Sequence, residues 1–325
     1  MKDETMIEGN QSNIGGQPPL PPSSFRLQPS LWWRAVRPKA FAATTTPVLV
    51  GIGIAALDGR FALGWAALTL LGAILLQAGT NLLNDYFDHR NGVDTSASLS
   101  PSGVIQQGLL APRAVLIGGL LCFALAALLG VALALHGGPI IWALGVLGVL
   151  IGVLYTAGPA PLAYVGLGEI AVFIAMGVGI VLGAYTVQTQ RASWTAALAG
   201  APIGLLVAAI LHANNLRDIP TDRAQGKRTL AARFGRRFAQ REYALLVYGA
   251  FALLLPLLLI DLRIGLAALP TLLLLPRAHA LVREAYATDD YVRLNRVLRG
   301  AATLHGRFGL LWTLGLLAAV AATKI

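Results

Sequence analysis

The sequence is short of charge, cysteine and aromatic residues. Only 12 % of its 325 residues are charged, about half the share of an ordinary soluble domain, which excludes a water-soluble enzyme and a disordered chain. A single cysteine, Cys122, excludes an internal disulfide framework, and its place inside an apolar run makes it a small packing residue. Aromatics at 7 % against 36 glycines argue against a large aqueous β-structure. No glycine-rich nucleotide loop follows a strand, no nucleophile–base pair stands out, and the histidines show no metal-ligand spacing.

What the chain has is apolar length. It is 56 % hydrophobic with a mean hydropathy of +0.67. Runs of about 20 residues recur, each long enough to cross a bilayer of about 30 Å as a helix. We place nine spans at 40–57, 62–84, 113–135, 139–156, 165–187, 194–214, 243–260, 264–284 and 301–322. The expected fold is all-α, a polytopic membrane helical bundle of about nine transmembrane helices.

The net charge of +10 invites a nucleic-acid reading, which its distribution rejects. With the N-terminus cytoplasmic, 21 of the 25 Lys and Arg residues fall inside, and only Arg60, Arg191, Arg263 and Lys324 fall outside. That bias sets orientation, so the charge reports topology, with anionic lipid or substrate as the remaining partners. Residues 1–30 are rich in Gly, Pro, Ser, Asn and Gln, lack the basic and apolar regions of a signal peptide, and read as a disordered cytoplasmic tail. Residues 31–325 form the membrane domain. Trp32 and Trp33 read as an interfacial anchor, and Gly177, Gly179 and Gly183 suit close helix packing.

Two segments break the apolar pattern on the side expected to face the cytoplasm. Where span 2 ends, Asn81, Asp85 and Asp88 fall at i, i+4 and i+7 and share one helical face, followed by Asp94. Where span 6 ends, Asn214, Asn215, Arg217, Asp218 and Asp222 precede Lys227 and Arg228, and Pro220 turns an unbroken helix into a kinked turn. Acids beside membrane spans are costly and mark polar cavities. Five carboxylates facing one cavity repel unless hard divalent cations lie between them, and Mg2+ is the cation commonly shared between carboxylates and phosphates. The interleaved bases suit a phosphorylated ligand. The plainer alternative is two solvated helix ends whose Asp and Arg residues pair with one another.

N-D-x-x-D-x-x-x-G-x-D from Asn84 to Asp94 and N-N-x-R-D-x-x-x-D-x-x-x-G-K-R-T-L from Asn214 to Leu230 resemble the two signature motifs of the UbiA superfamily of membrane prenyltransferases. Trp33–Lys39, Leu75–Asn81 and Tyr155–Glu169 make the chain most similar to the branch that acts on 1,4-dihydroxy-2-naphthoate in menaquinone and phylloquinone synthesis. The resemblance covers residues 31 to 322. It implies a multi-pass enzyme of the cell inner membrane that transfers a prenyl group from an allylic polyprenyl diphosphate to that naphthoate, with loss of CO2 and diphosphate.

It further implies two Mg2+ ions held by Asp85, Asp88, Asp218 and Asp222. Lys227 and Arg228 are the first choices for the diphosphate, followed by Arg37 and Arg217. Asn81, Asn84 and Asn215 belong to the same binding set, with helix packing as the alternative for one of the first two, and Asp94 adds an acid. Tyr155 and Tyr164 face the carbocation or acceptor, or else belong to an interfacial belt. Glu169 stays open between a functional and a structural acid, and His212 reads as a core histidine. Where many relatives carry an arginine this chain has Gly103, so another base is needed, with Arg37 and Arg113 as candidates. Other UbiA acceptors (homogentisate, 4-hydroxybenzoate, haem, a chlorophyllide) and an ion-coupled transporter are the rival readings.

Overall fold

Each expected apolar run is a helix. The computed structural model describes residues 28–90, 102–156 and 160–323, which are helix, turn and connecting chain without a strand. A short helix α1 (Pro29–Val36) leads into α2 (Pro38–Leu57), α3 (Leu63–Arg90), α4 (Pro112–Gly137) and α5 (Pro139–Thr156). Then follow α6 (Gly168–Thr189), α7 (Trp194–Arg217), two short helices α8 (Ile219–Ala224) and α9 (Leu230–Phe234), α10 (Arg236–Ile260), α11 (Leu262–Ala287) and α12 (Tyr291–Ala322). Among the described residues eight helices are long and apolar enough to cross a bilayer, and α5 contributes a shorter apolar helix, Pro139–Tyr155. Residues 1–27 of the expected tail and Asp94 lie outside the described residues, as does the side chain of Asp88, while residues 29 and 30, expected in the tail, begin α1.

Local chemistry sets the helix starts. Pro29, Pro112 and Pro139 open their helices, where a missing N–H costs nothing. Ser193 and Asp290 cap α7 and α12 by accepting from the Ala196 and Arg293 N–H groups at 3.2 and 2.7 Å. Helices α2 and α7 form the centre: α2 packs on α6 and α12, and α7 packs on α6, α10 and α12. Ile54, Leu206, Leu216, Tyr243, Phe308 and Trp312 fill the space between them. On the flank, α4 and α5 expose Leu121, Leu128, Leu135, Val149 and Leu150, an apolar surface suited to lipid rather than water.

Helices α6 and α7 meet backbone to backbone. A Cβ at Gly200 would lie 2.6 Å from the Val178 Cα, and one at Gly177 would press on Gly204. At this contact α6 widens into a π-helical stretch over Phe173–Gly179. Close packing therefore holds at Gly177, whereas a Cβ at Gly183 would meet only the Leu144 side chain, at 3.6 Å.

One end of the bundle is tied by Asp58, which accepts from the Tyr185 hydroxyl at 2.9 Å and from Arg263 at 3.1 Å, and by Gln188, which accepts from the Ala62 N–H at 2.7 Å. Helix α3 starts at this end and α7 starts just after α6 finishes there. Their C-terminal ends, which carry the two acidic motifs, therefore share the opposite end.

Candidate functional site

The first motif is held by the chain ahead of α2. Helix α3 continues through the motif to Arg90, so Asn81, Asp85 and Asp88 keep the spacing of one face. Asp85 is 1 % exposed, forms an ion pair with Arg37 and accepts a hydrogen bond from the Ser102 hydroxyl. A carboxylate removed from water needs such partners. Arg37 reaches it from a left-handed backbone, φ 53°, between α1 and α2, an unusual conformation for a non-glycine residue. Asn81 donates to the Val36 carbonyl at 2.7 Å and accepts from Gln77 at 3.1 Å, so it clamps α1 onto α3. Asn84 is exposed.

Gly103 also has a positive φ, 64°. A Cβ there would stand 3.2 Å from a terminal nitrogen of Arg34, whose Nε donates to the Ser102 carbonyl at 2.6 Å. Arg34 thus brings a guanidinium to the position that lacks an arginine, Arg37 lies on the neighbouring Asp85, and Arg113 is exposed at the start of α4. The sequence alone did not point to Arg34 or Ser102.

The second motif has the expected kink. Helix α7 stops at Arg217, and Pro220 lies in the first turn of α8. The Asp222 N–H still donates to the Asp218 carbonyl at 2.8 Å, keeping the two acids one turn apart. Arg217 grips Asp218 with a fork of 2.7 and 2.6 Å, donates to Asn214 at 2.8 Å and to Asn295 at 3.1 Å, and lies over the Tyr291 ring at 5.0 Å. Asn295 and Tyr291, on α12, have no signature in the sequence that marks them.

Asp218 and Asp222 line a cavity of about 150 Å³ together with Tyr155, Tyr164, Asn214, Asn215 and Lys227. Lys227 lies 3.3 Å from Asp222 and 5.3 Å from the centre of the Tyr164 ring. The Arg228 N–H donates to the Tyr164 carbonyl at 2.7 Å, fastening the basic loop to the tyrosine loop. Burial pushes the Asp222 carboxyl above its usual range although Lys227 pulls the other way. A wider hollow of about 560 Å³ adjoins through Lys227 and is lined by Arg223, Arg228 and Arg233. An acidic chamber thus opens beside a basic one. Among the described residues, none of the first motif lines either hollow. The cavity donors are carboxylate and amide oxygens, which suit a hard cation such as Mg2+.

Behind this cavity lies a buried cluster. His212 Nδ1 is 3.0 Å from Glu169 Oε1 and 3.6 Å from Glu242 Oε2, and its Nε2 is 2.8 Å from the Ala239 carbonyl oxygen. Glu169 also accepts from the Asn215 amide at 2.9 Å. The sequence marked Glu169 and His212 separately, and the fold joins them and adds Glu242.

Comparison with known proteins places the chain in a family. Residues 44–304 match the UbiA prenyltransferase family. The 1,4-dihydroxy-2-naphthoate octaprenyltransferase of Bacillus subtilis is 34 % identical over 71 % of this chain and 73 % of its own length. The Escherichia coli enzyme of the same name is 34 % identical over 83 % of this chain and 91 % of its own. Among solved structures, a UbiA homolog from Archaeoglobus fulgidus bound to GPP and Mg2+ superposes with a TM-score of 0.67 at 18 % identity, covering 90 % of this chain and 99 % of that one. The chain is a multi-pass membrane protein and belongs to the UbiA prenyltransferase family.

Proposed function

We propose that the protein transfers a polyprenyl group from an allylic diphosphate to 1,4-dihydroxy-2-naphthoate, releasing diphosphate and CO2, in the cell inner membrane. The observation that carries this reading is the paired chamber: Asp218 and Asp222 in a small cavity with Lys227 at the boundary of a basic hollow. The naphthoate follows the names of the relatives. Oxygen donors of Asp85, Asp88, Asp218 and Asp222 would hold two Mg2+ ions, which supply positive charge to the departing diphosphate.

The chain's own groups do the rest. Lys227 and Arg228, with Arg223 and Arg233 beside them, meet the diphosphate and oppose the repulsion of the acids. Arg37, and Arg34 next to Gly103, supply positive charge at the first motif. Tyr155 and Tyr164 line the cavity, where an aromatic face stabilises a developing allylic cation and holds water away. Apolar helices beyond them receive the polyprenyl tail. The acceptor ring attacks through the carbon bearing its carboxylate, and the electrons of the breaking C–CO2 bond restore aromaticity. No ring proton has to be removed.

The test is purified protein with a radiolabelled polyprenyl diphosphate and the naphthoate, with Mg2+ or with a chelator. Labelled lipid product that forms only with Mg2+ is the expected result. No product under either condition would refute the proposal.

A further inference from the structure

The buried cluster behind the cavity joins one imidazole to two carboxyl groups and a backbone carbonyl. A carbonyl oxygen and a carboxylate oxygen only accept. His212 Nε2 faces the Ala239 carbonyl and Nδ1 faces Glu169, with Glu242 behind it. With Glu169 ionised, both ring nitrogens donate, and an imidazolium sits between two carboxylates. His212 is fully buried and Glu169 is 4 % exposed. Such a buried ionic group adds little stability over well-packed apolar residues, so its worth lies elsewhere. Nor does the proposed reaction need it as a base, since CO2 is what leaves the ring.

Its outlet is Asn215. This residue lines the cavity with Asp218 and Asp222, and its Nδ2 donates to Glu169 Oε1. An ionised Glu169 accepts only, so it takes the NH2 end of the amide and leaves Oδ1 as the end available to the cavity. The neighbouring Asn214 is already committed, its Oδ1 accepting from Arg217 at 2.8 Å. The two adjacent asparagines thus have different tasks.

We propose that Glu169, His212 and Glu242 are positioning residues that fix the Asn215 amide so that its oxygen serves as a further donor to the cation of the second motif. His212 keeps Glu169 an acceptor, Glu242 balances His212, and the amide cannot turn its NH2 toward the cation. This rests on the reading of Asp218 and Asp222 as cation ligands.

The experiment measures cation binding without turnover. Mn2+ is titrated by electron paramagnetic resonance into full-length protein in nanodiscs containing inorganic pyrophosphate. Asn215→Ala and Glu169→Leu should each weaken Mn2+ binding about tenfold. The double variant should be no weaker than either single one within about twofold, since both act on the same oxygen. Glu169→Gln, which keeps a carbonyl oxygen for Asn215, should recover most of the affinity. Unchanged binding in Asn215→Ala overturns the proposal whether or not Glu169→Leu folds, and so do additive losses. A tight Mn2+ site that survives Asp218→Asn with Asp222→Asn and vanishes in His212→Leu would place the metal in the triad itself and also overturn it. Wild-type protein that binds no Mn2+ would remove the cation reading of the second motif, whereas normal binding untouched by Asn215→Ala leaves that reading standing.

Discussion

Asp85→Asn separates the structural work of the first motif from its chemistry. The wild-type carboxylate is 1 % exposed and is held by Arg37 and Ser102. Asparagine keeps an oxygen for the Ser102 hydroxyl but removes the negative charge that Asp85 presents to Arg37. Removing one partner of a buried pair costs about 3–5 kcal/mol. Arg37 retains 20 % side-chain exposure and so keeps some water, which places this loss nearer about 2–3 kcal/mol. Denaturation in mixed micelles should show that loss, and Arg37→Met with Asp85→Asn should restore part of it, because the pair then goes as a unit. Prenyl transfer should not recover. If Asp85 ligates the cation that neutralises the departing diphosphate, losing it removes about 3–4 kcal/mol from the barrier reduction, a few hundred-fold or more in rate. Both quantities are read on one preparation, the first by unfolding and the second by labelled product at saturating Mg2+. Activity of Asp85→Asn within about tenfold of wild type would refute the ligand role, and full stability would refute the pairing.

Three further outcomes follow from the geometry. Lys227→Met should raise KM for the prenyl diphosphate by about tenfold and lower kcat less than Asp218→Asn does, because Arg228 borders the same basic hollow; steady-state kinetics of the two variants decide it. Gly200→Leu should abolish folded protein, since a side chain there meets the Val178 backbone, and size-exclusion profiles after membrane extraction show whether it does. In a Cys122→Ala background, cysteines at Ser98 and Gln225 should react with impermeant thiol reagents only from the cytoplasmic side, and one at Thr189 only from outside.

The bundle was legible because the bilayer imposes it: hydrocarbon thickness dictates apolar runs of helical length, and nine such runs correspond to helices. Helix ends were less legible. Helix α10 begins at Arg236 rather than 243, and α12 at Tyr291 rather than 301. Hydropathy reports where the hydrocarbon ends, while a capped helix such as α12 continues past it through Arg293, Arg296 and Arg299. The acids of the site were legible because Asp beside an apolar run is costly. Their partners were not. Arg34 meets Ser102 across 68 positions, Arg217 meets Asn295 across 78, and Glu169 meets His212 across 43. No period links such residues, so only the packing of α1 on the chain around Ser102, of α7 on α12 and of α6 on α7 reveals them.

The acceptor is the sharpest test of the whole account. Purified protein should receive one polyprenyl diphosphate and equal concentrations of 1,4-dihydroxy-2-naphthoate, labelled at its carboxyl carbon, 4-hydroxybenzoate and homogentisate, with products identified by mass. The account predicts a prenylated naphthoquinol formed about tenfold or more faster than either rival product, a margin of about 1.4 kcal/mol, with one labelled CO2 released per product. Preference for homogentisate or 4-hydroxybenzoate, or prenylated naphthoate that keeps its label, would contradict it.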